Sequence, residues 1–319
     1  SEFVRIFLTR APNIMWFFGA GTSAAAGVPT AHHLTWRFKQ LLYCTNQRVS
    51  VKTCSDLGDP SLRMRLQKYF DDAKHFPREN SDEEYAYFFE AAFPDEGDRR
   101  RFIDDAFSVA SPSYGHVVLA ALMKIGQIRL VWTTNFDSLV EDAIATIFGS
   151  SSKIVVATPE SPKIASEAIR EERFPILVKL HGDFRSRRLK NTADELRTQD
   201  SDLRHNLIET SKRFGLAVVG YSGRDQSIME SLEKAATEID SFPFGLFWFH
   251  RSADPCSDRV KDLIAAVQNA GKQAELIEFG TFDELFADLL LLNNDFPGDI
   301  QEHLNRKKSR VSDLALPSK

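Results

Sequence analysis

Cysteine is scarce in this sequence, and a membrane-length apolar run is missing altogether. The three cysteines, Cys44, Cys54 and Cys256, form no Cys-x-x-Cys pair and stand in no histidine-interleaved cluster. That excludes a disulfide framework and argues against a structural zinc site. Such a sparse, odd set suits a reducing compartment, so a cytoplasmic protein is expected. A bilayer-spanning helix needs about 20 apolar residues in a row, and the richest stretch here, Phe242 to Phe249, is broken by Pro243 and Gly245. A secretory signal pattern is also missing. The chain starts at Ser1-Glu2-Phe3 without an initiator Met, as expected of a piece trimmed from something longer. Nor is there a surplus of positive charge: 40 Lys and Arg against 45 Asp and Glu leave a net charge of -5. This excludes a global attraction to nucleic acid or anionic membranes. Internal repeats and low-complexity segments are absent too.

What is present is ordinary globular material: 319 residues, 43% hydrophobic and 11% aromatic, enough for one large or two modest domains. Asn13 to Phe18 is a continuous apolar run ending at Gly19, the pattern of a strand buried on both faces. A helix is expected from Ser23 to about Leu42, interrupted early by Gly27 and Pro29. Further strands are expected at Ile128–Trp132, Lys153–Ala157, Pro175–Leu180, Leu216–Val219, Phe244–Phe249 and Ala274–Phe279. Helices alternate with them at 138–148, 201–214, 228–239, 260–270 and 283–292, and Ser111-Pro112 opens another with His116, Leu119 and Met123 at helical spacing. This rhythm predicts an α/β fold, a Rossmann-like doubly wound parallel sheet. Between residues 45 and 101 charge rises and Asp59-Pro60, Phe76-Pro77 and Phe93-Pro94 punctuate amphipathic helices, which reads as a helical insertion or small subdomain. The expected division is residues 1–44 and 102–294 as a discontinuous nucleotide-binding domain, 45–101 as the insertion, and 295–319, with Arg306-Lys307-Lys308, as a polar solvated tail or linker.

The polar motifs fall where strands end, which is where ligands bind in such sheets. Gly19-Ala20-Gly21-Thr22-Ser23-Ala24 fits G-x-G-x-x-(G/A): one glycine for the tight turn, one to let backbone N–H groups approach phosphates, a small residue for helix packing. Its other reading is a strand-to-helix turn with no ligand. A dehydrogenase would place an acid at the end of a second strand about 20 residues on. Leu41-Leu42-Tyr43-Cys44-Thr45 supplies neither, so hydride transfer is disfavoured. Asn135 and Asp137 enter the next helix as ligand-facing residues or as caps. His181 ends a strand, before Gly182, where it is more open to the cleft than a core histidine. In Gly220-Tyr221-Ser222-Gly223-Arg224-Asp225, Ser222 and its neighbouring N–H groups suit ribose or phosphate, while Asp225 also suits a helix first turn. His116, among apolar residues, reads as structural.

These motifs together resemble the sirtuins (the silent-information-regulator family) over roughly Asn13 to Leu292, the insertion excepted. Gly19-Ala20-Gly21-Thr22-Ser23 with Gly27-Val28-Pro29, then Pro112-Ser113 with His116, then Thr133-Thr134-Asn135-Phe136-Asp137 stand in the family's order. Leu180-His181-Gly182 matches its catalytic histidine motif, and Gly220-Tyr221-Ser222 stands at its ribose-binding turn. The departures are a missing four-cysteine zinc module, Thr30-Ala31-His32 in place of Asp-Phe-Arg, and Thr134 in place of Gln. They look like the divergent bacterial sirtuin-like domains of anti-phage defence systems. The resemblance implies an NAD+ hydrolase that releases nicotinamide and ADP-ribose, with NAD as substrate and no zinc. It implies Asn135 and His181 as catalytic residues, and Gly19, Ala20, Gly21, Thr22, Ser23, Pro29, Thr134, Asp137, Gly220, Ser222 and Asp225 as NAD-binding, with Asp137 on the carboxamide. It also implies a homo-oligomer or a defence partner (a HerA-type ATPase, a short Argonaute or a fused sensor domain), and neither membrane nor direct nucleic-acid binding. A non-catalytic NAD or ADP-ribose sensor is the alternative, and an NAD-dependent protein deacylase a remoter one.

Overall fold

The apolar run before Gly19 forms β1 (Ile14–Phe18), buried along its whole length, as a strand covered on both faces must be. Around it the computed structural model, which describes residues 2–81, 83–107, 110–181, 201–252, 256–291 and 296–314, builds one sheet. Its other strands are β2 (Leu130–Thr133), β3 (Val155–Ala157), β4 (Ile176–Lys179), β5 (Gly215–Val219), β6 (Leu246–His250) and β7 (Ala274–Glu278). The order is β3-β4-β2-β1-β5-β6-β7, and every pairing is parallel. From β1 the chain winds outward to one side through β2, β3 and β4, then returns to β5 and winds to the other. The switch point therefore lies between β1 and β5, and the crevice outside their carboxyl ends is the expected ligand position.

Side chains alternate across β1. Ile14, Trp16 and Phe18 enter the core under helices α1 (Glu2–Arg10), α6 (Tyr114–Lys124), α7 (Leu139–Phe148), α12 (Phe282–Leu291) and α13 (Gly298–Leu314). Met15 and Phe17 enter the core under α8 (Pro162–Arg170), α9 (Ser201–Ser211), α10 (Gln226–Thr237) and α11 (Asp258–Asn269). The result is the three-layer, doubly wound α/β fold expected. Among the described residues no helix is long and apolar enough to cross a membrane.

Three local expectations are revised. The segment after β1 is not one helix from Ser23. It makes two single 3-10 turns, Ala20–Thr22 and Ala24–Ala26, and the α-helix α2 begins only at Ala31 and runs to Gln47. Gly27 stops the second turn with φ +86, Pro29 disfavours helix just before it, and Thr30 then caps α2 by accepting from His33 N–H.

The N-terminal Phe3 is a core residue, packed edge-on against Trp16 at 6.0 Å and Phe249 at 4.8 Å. The segment after residue 295 is not a solvated tail along its described length. It forms α13, with Ile300 and Leu304, one turn apart, fully buried. The bounds of the insertion also differ, because α2 continues past residue 44 and α5 (Glu96–Phe107) crosses residue 101.

The insertion comprises much of α2, then α3 (Pro60–Asp72), α4 (Glu84–Ala92) and α5. Its core is aromatic: Phe38 stacks on Phe89 at 4.7 Å, and Phe70 meets Phe88 at 4.9 Å. Lys39 is fully buried within it, ion-paired with Glu84 and hydrogen-bonded to Gln67 at 2.5 Å. The same cluster takes in Val28, Leu139 and Phe136, so the insertion packs directly on the loops at the ends of β1 and β2.

Candidate functional site

The loops after β1, β2, β4 and β5 converge at the switch point. The β1 and β5 loops interlock through glycine. Gly19 N–H donates to Val219 O at 3.1 Å and Gly21 N–H to Gly220 O at 2.9 Å. A Cβ on Gly19 would lie 2.6 Å from Gly220 O, and one on Gly21 2.8 Å from Gly220 Cα. These glycines allow backbone to meet backbone. Thr22 and Ser23 N–H donate to Gly19 O and Ala20 O at 3.0 and 3.2 Å. The amides of Gly21, Thr22 and Ser23 are therefore engaged within the loops, and do not form the open phosphate cradle that the glycine spacing suggests. Ala20 itself is half-buried beside them, and Pro29 lies further on, half-buried ahead of α2.

The β2 loop is fastened to the same place. Thr134 N–H extends the sheet ladder to Phe18 O at 3.1 Å. Asn135 N–H donates to Thr133 Oγ1 at 2.9 Å, which turns its side chain toward β1. There Nδ2 lies 3.1 Å from Gly19 O, 3.2 Å from Thr22 Oγ1 and 2.9 Å from Ser23 Oγ. Ser23 Oγ donates to Asp137 Oδ2 at 2.7 Å, and Asp137 Oδ1 accepts from Leu139 N–H at 3.2 Å. Both carboxylate oxygens of Asp137 thus have protein partners, so a carboxamide would have to share or displace the Ser23 hydroxyl. Neither of the two local readings of Asp137, ligand or cap, included this tie to Ser23.

Lys179, the last residue of β4, is a functional-site neighbour that sequence reasoning missed. It is 1% exposed. Its Nζ donates to Asp137 O at 2.7 Å and pairs with Glu141 Oε1 at 2.6 Å. Such a buried cation needs partners to offset its desolvation, and these partners bolt the end of β4 to the Asn135–Asp137 loop. The only sequence signal was a lysine ending an apolar run. A cavity of about 10 Å³, no larger than one water, lies among Ser23, His116, Thr133, Asn135, Asp137 and Lys179. His116 is buried and accepts at Nδ1 from Ser113 N–H at 3.3 Å, the structural role expected of it.

His181 follows β4 with Leu180 N–H anchored on Thr133 O at 2.8 Å. Gly182 of its motif lies outside the described residues. The imidazole reaches over the ends of β2 and β1 toward the loop after β5. Its Nε2 lies 2.8 Å from Asp225 Oδ2, with the oxygen off the axis of the ring N–H. Asp225 Oδ1 accepts from Ser227 N–H at 3.0 Å, Ser227 Oγ–H at 2.8 Å and Ile228 N–H at 3.2 Å, capping α10. Burial alone would raise its pKa, but His181 and these donors hold the carboxyl below the ordinary aspartate value. Asp225, expected as an NAD-binding residue or at a helix first turn, caps α10 and is turned to the histidine. Ser222 is exposed on the same turn.

A second, open cavity of about 580 Å³ is lined by His32, Trp36, Arg63, Met64, Gln67 and Asp71 of the insertion. None of the expected catalytic or NAD-binding residues lines it. His32 takes the place of the arginine in the family motif. Burial and the charges of Arg63, His33 and Arg224 lower its pKa.

Among the described residues, no group of three or more His, Cys, Asp or Glu could hold a metal ion.

Residues 129–273, from the start of β2 to the edge of β7, match the family model of the SIR2-like domain. Comparison with curated protein sequences finds no match. Several solved structures are similar at low identity. A structure of Sir2 enzymes described for mechanism and regulation is 14% identical, covering 94% of this chain and 96% of its own, with a TM-score of 0.48. A Sir2 homologue–NAD complex is 15% identical, covering 93% and 94%, with a TM-score of 0.45. A Sir2–p53 peptide–NAD+ complex is 16% identical, covering 92% and 98%, with a TM-score of 0.40. Likenesses at these scores bear on neither activity nor ligand. The matched segment holds Asn135, Asp137, His181, Gly220 and Asp225, while the Gly19–Ser23 loop precedes it: residues 129–273 are similar to a SIR2-like domain.

Proposed function

We propose that this site binds NAD+ and hydrolyses its nicotinamide–ribose bond. The observation that carries the reading is the gathering of Asn135 and His181 with the Gly19–Ser23 and Gly220 loops at the switch point of the parallel sheet. Nicotinamide leaves C1′ as a neutral molecule with both electrons of the C–N bond. The chemistry therefore needs no strong acid at the leaving group. It needs stabilisation of an oxocarbenium-like ribose and a placed water. Asn135, anchored through its backbone on Thr133, orients the water or the ribose hydroxyls. His181 accepts the proton lost as the water oxygen bonds to C1′. The products are nicotinamide, ADP-ribose and one proton. The resemblance of the motifs gives Asp137 the carboxamide, and Ser222, exposed on its turn, the ribose.

Unrestrained NAD+ hydrolysis would be toxic to its host, so the activity is proposed as the gated effector of an anti-phage defence system. Oligomerisation, or a partner such as a HerA-type ATPase, a short Argonaute or a fused sensor domain, supplies the gate. This part rests on the resemblance of the motifs.

The test is to incubate the chain with NAD+, alone and with the proteins encoded beside it, and to quantify nicotinamide and ADP-ribose. Equimolar release of both is expected. His181→Ala and Asn135→Ala, checked for folding by melting, are expected to reduce the rate by about 10²- to 10⁴-fold. Saturable NAD+ binding without cleavage under any condition would replace this reading with a sensor. Cleavage that requires an acetylated peptide would replace it with a deacylase.

A further inference from the structure

The contact between His181 and Asp225 joins the two halves of the sheet. In the order β4-β2-β1-β5, two strands stand between the one that ends at His181 and the one whose loop carries Asp225. At a strand spacing of about 4.8 Å, the two side chains bridge the crevice that the Gly19–Ser23 loop occupies. Nothing in either local sequence requires this meeting.

Helix capping does not account for it. Capping α10 uses one carboxylate oxygen, Oδ1, which takes all three bonds from Ser227 and Ile228. Among the described residues Oδ2 faces His181, at 2.8 Å. The carboxyl is mostly buried, and its proton is lost readily despite that burial, so a fixed negative charge faces the ring. The turn that carries it is firm. Gly223 has φ +73 and packs so closely that a Cβ would lie 2.6 Å from Val260 Cγ2, and Tyr221 packs on Phe17 at 4.9 Å.

Building on the hydrolase reading, we infer that Asp225 is the positioning residue of His181: its Oδ2 holds the ring with the proton on Nε2 and leaves Nδ1 as the basic nitrogen. A neutral imidazole has one donor and one acceptor nitrogen, so fixing the donor fixes the acceptor. The proton balance is simple. Nδ1 takes the proton released as water adds to C1′, the imidazolium is held by the Asp225 carboxylate, and the proton then leaves to solvent. Asp225 itself stays ionised throughout.

Asp225→Asn separates this role from capping, because Asn caps a helix as well as Asp does. Three readouts are compared in wild type, Asp225→Asn and His181→Ala: melting temperature, kcat and KM for NAD+ cleavage, and the ¹⁵N shifts of the His181 ring nitrogens, assigned by their loss in His181→Ala. The expected result for Asp225→Asn is a near-wild-type melting temperature and a kcat reduced roughly 10- to 1000-fold. KM should be little changed, and the two ring ¹⁵N signals should move toward each other as the tautomers mix. Unchanged ring signals overturn the inference whatever the activity does, and so does a wild-type kcat. If the wild-type protein cleaves no NAD+ yet the substitution moves the ring signals, the pairing stands and the hydrolase reading falls.

Discussion

Replacing Gly220 by alanine tests the interlock of the β1 and β5 loops. Gly220 has φ +66, and an added Cβ would sit 2.6 Å from Thr22 N and 2.9 Å from Gly21 C. Two costs combine. A left-handed backbone costs an L-residue about 1–2 kcal/mol. Overlap with backbone atoms, which have no rotamer to escape into, costs about 1–3 kcal/mol more. Gly271 provides the control, with φ +76 and nothing within 4 Å of its Cβ position, so Gly271→Ala carries the first cost alone. Urea unfolding of the two variants side by side should show Gly220→Ala the less stable by about 1–3 kcal/mol. In melting temperature that is roughly 2–4 °C per kcal/mol for a domain of a few hundred residues. Gly19→Ala strikes the same contact from the other side, at 2.6 Å from Gly220 O. The double variant should therefore cost clearly less than the two singles added together. Equal midpoints for Gly220→Ala and Gly271→Ala would refute the interlock.

Two further outcomes follow from buried charges. Lys39→Met leaves Glu84 buried without its cation and should cost about 3–5 kcal/mol in chemical denaturation, while Lys39→Met combined with Glu84→Leu should recover most of it. Asp225 has a folded-state pKa below its unfolded one, so its contribution is present above about pH 4 and is lost as pH falls through the folded value. Whatever small stability gap separates wild type from Asp225→Asn, followed by thermal melts from about pH 6 to about pH 3, should accordingly narrow toward acid.

Much of the sheet was legible in the sequence, because parallel strands buried on both faces are written as unbroken apolar runs. Ile14–Phe18 and Leu216–Val219 are such runs, and the structure pairs them residue by residue. The segment between Ser23 and Ala31 was not legible as helix or turn. Three alanines argue for helix, while Gly27 and Pro29 argue against it, and the local breakers prevail. The helix after residue 298 was misread because its charges outnumber its apolar residues. Ile300 and Leu304, one turn apart, dock its first turns on the core. At the site, the residue types that carry chemistry were visible, and their partners were not. Glycine spacing could not distinguish a loop open to phosphate from one closed on Gly220. Asp225 looked like a helix first-turn residue or an NAD ligand until a histidine from another strand was placed against it. Lys179 needed Glu141 and the Asp137 carbonyl to acquire meaning.

The four tryptophans divide unevenly between the parts of the molecule. Trp16, Trp132 and Trp248 sit on β1, β2 and β6, all of them fully buried. Trp16 faces the core beneath α1 and α12, and the other two face the opposite core. Trp36 belongs to the insertion, with the Lys39 ammonium 4.5 Å from its ring centroid. The intrinsic fluorescence of the folded chain is therefore dominated by dry indoles on both sides of the sheet. Its shift to longer wavelength on unfolding reports the sheet's two cores together. With Trp36→Phe as reference, the difference spectrum isolates the insertion, so one optical signal can tell whether the insertion loosens before the sheet that carries the site.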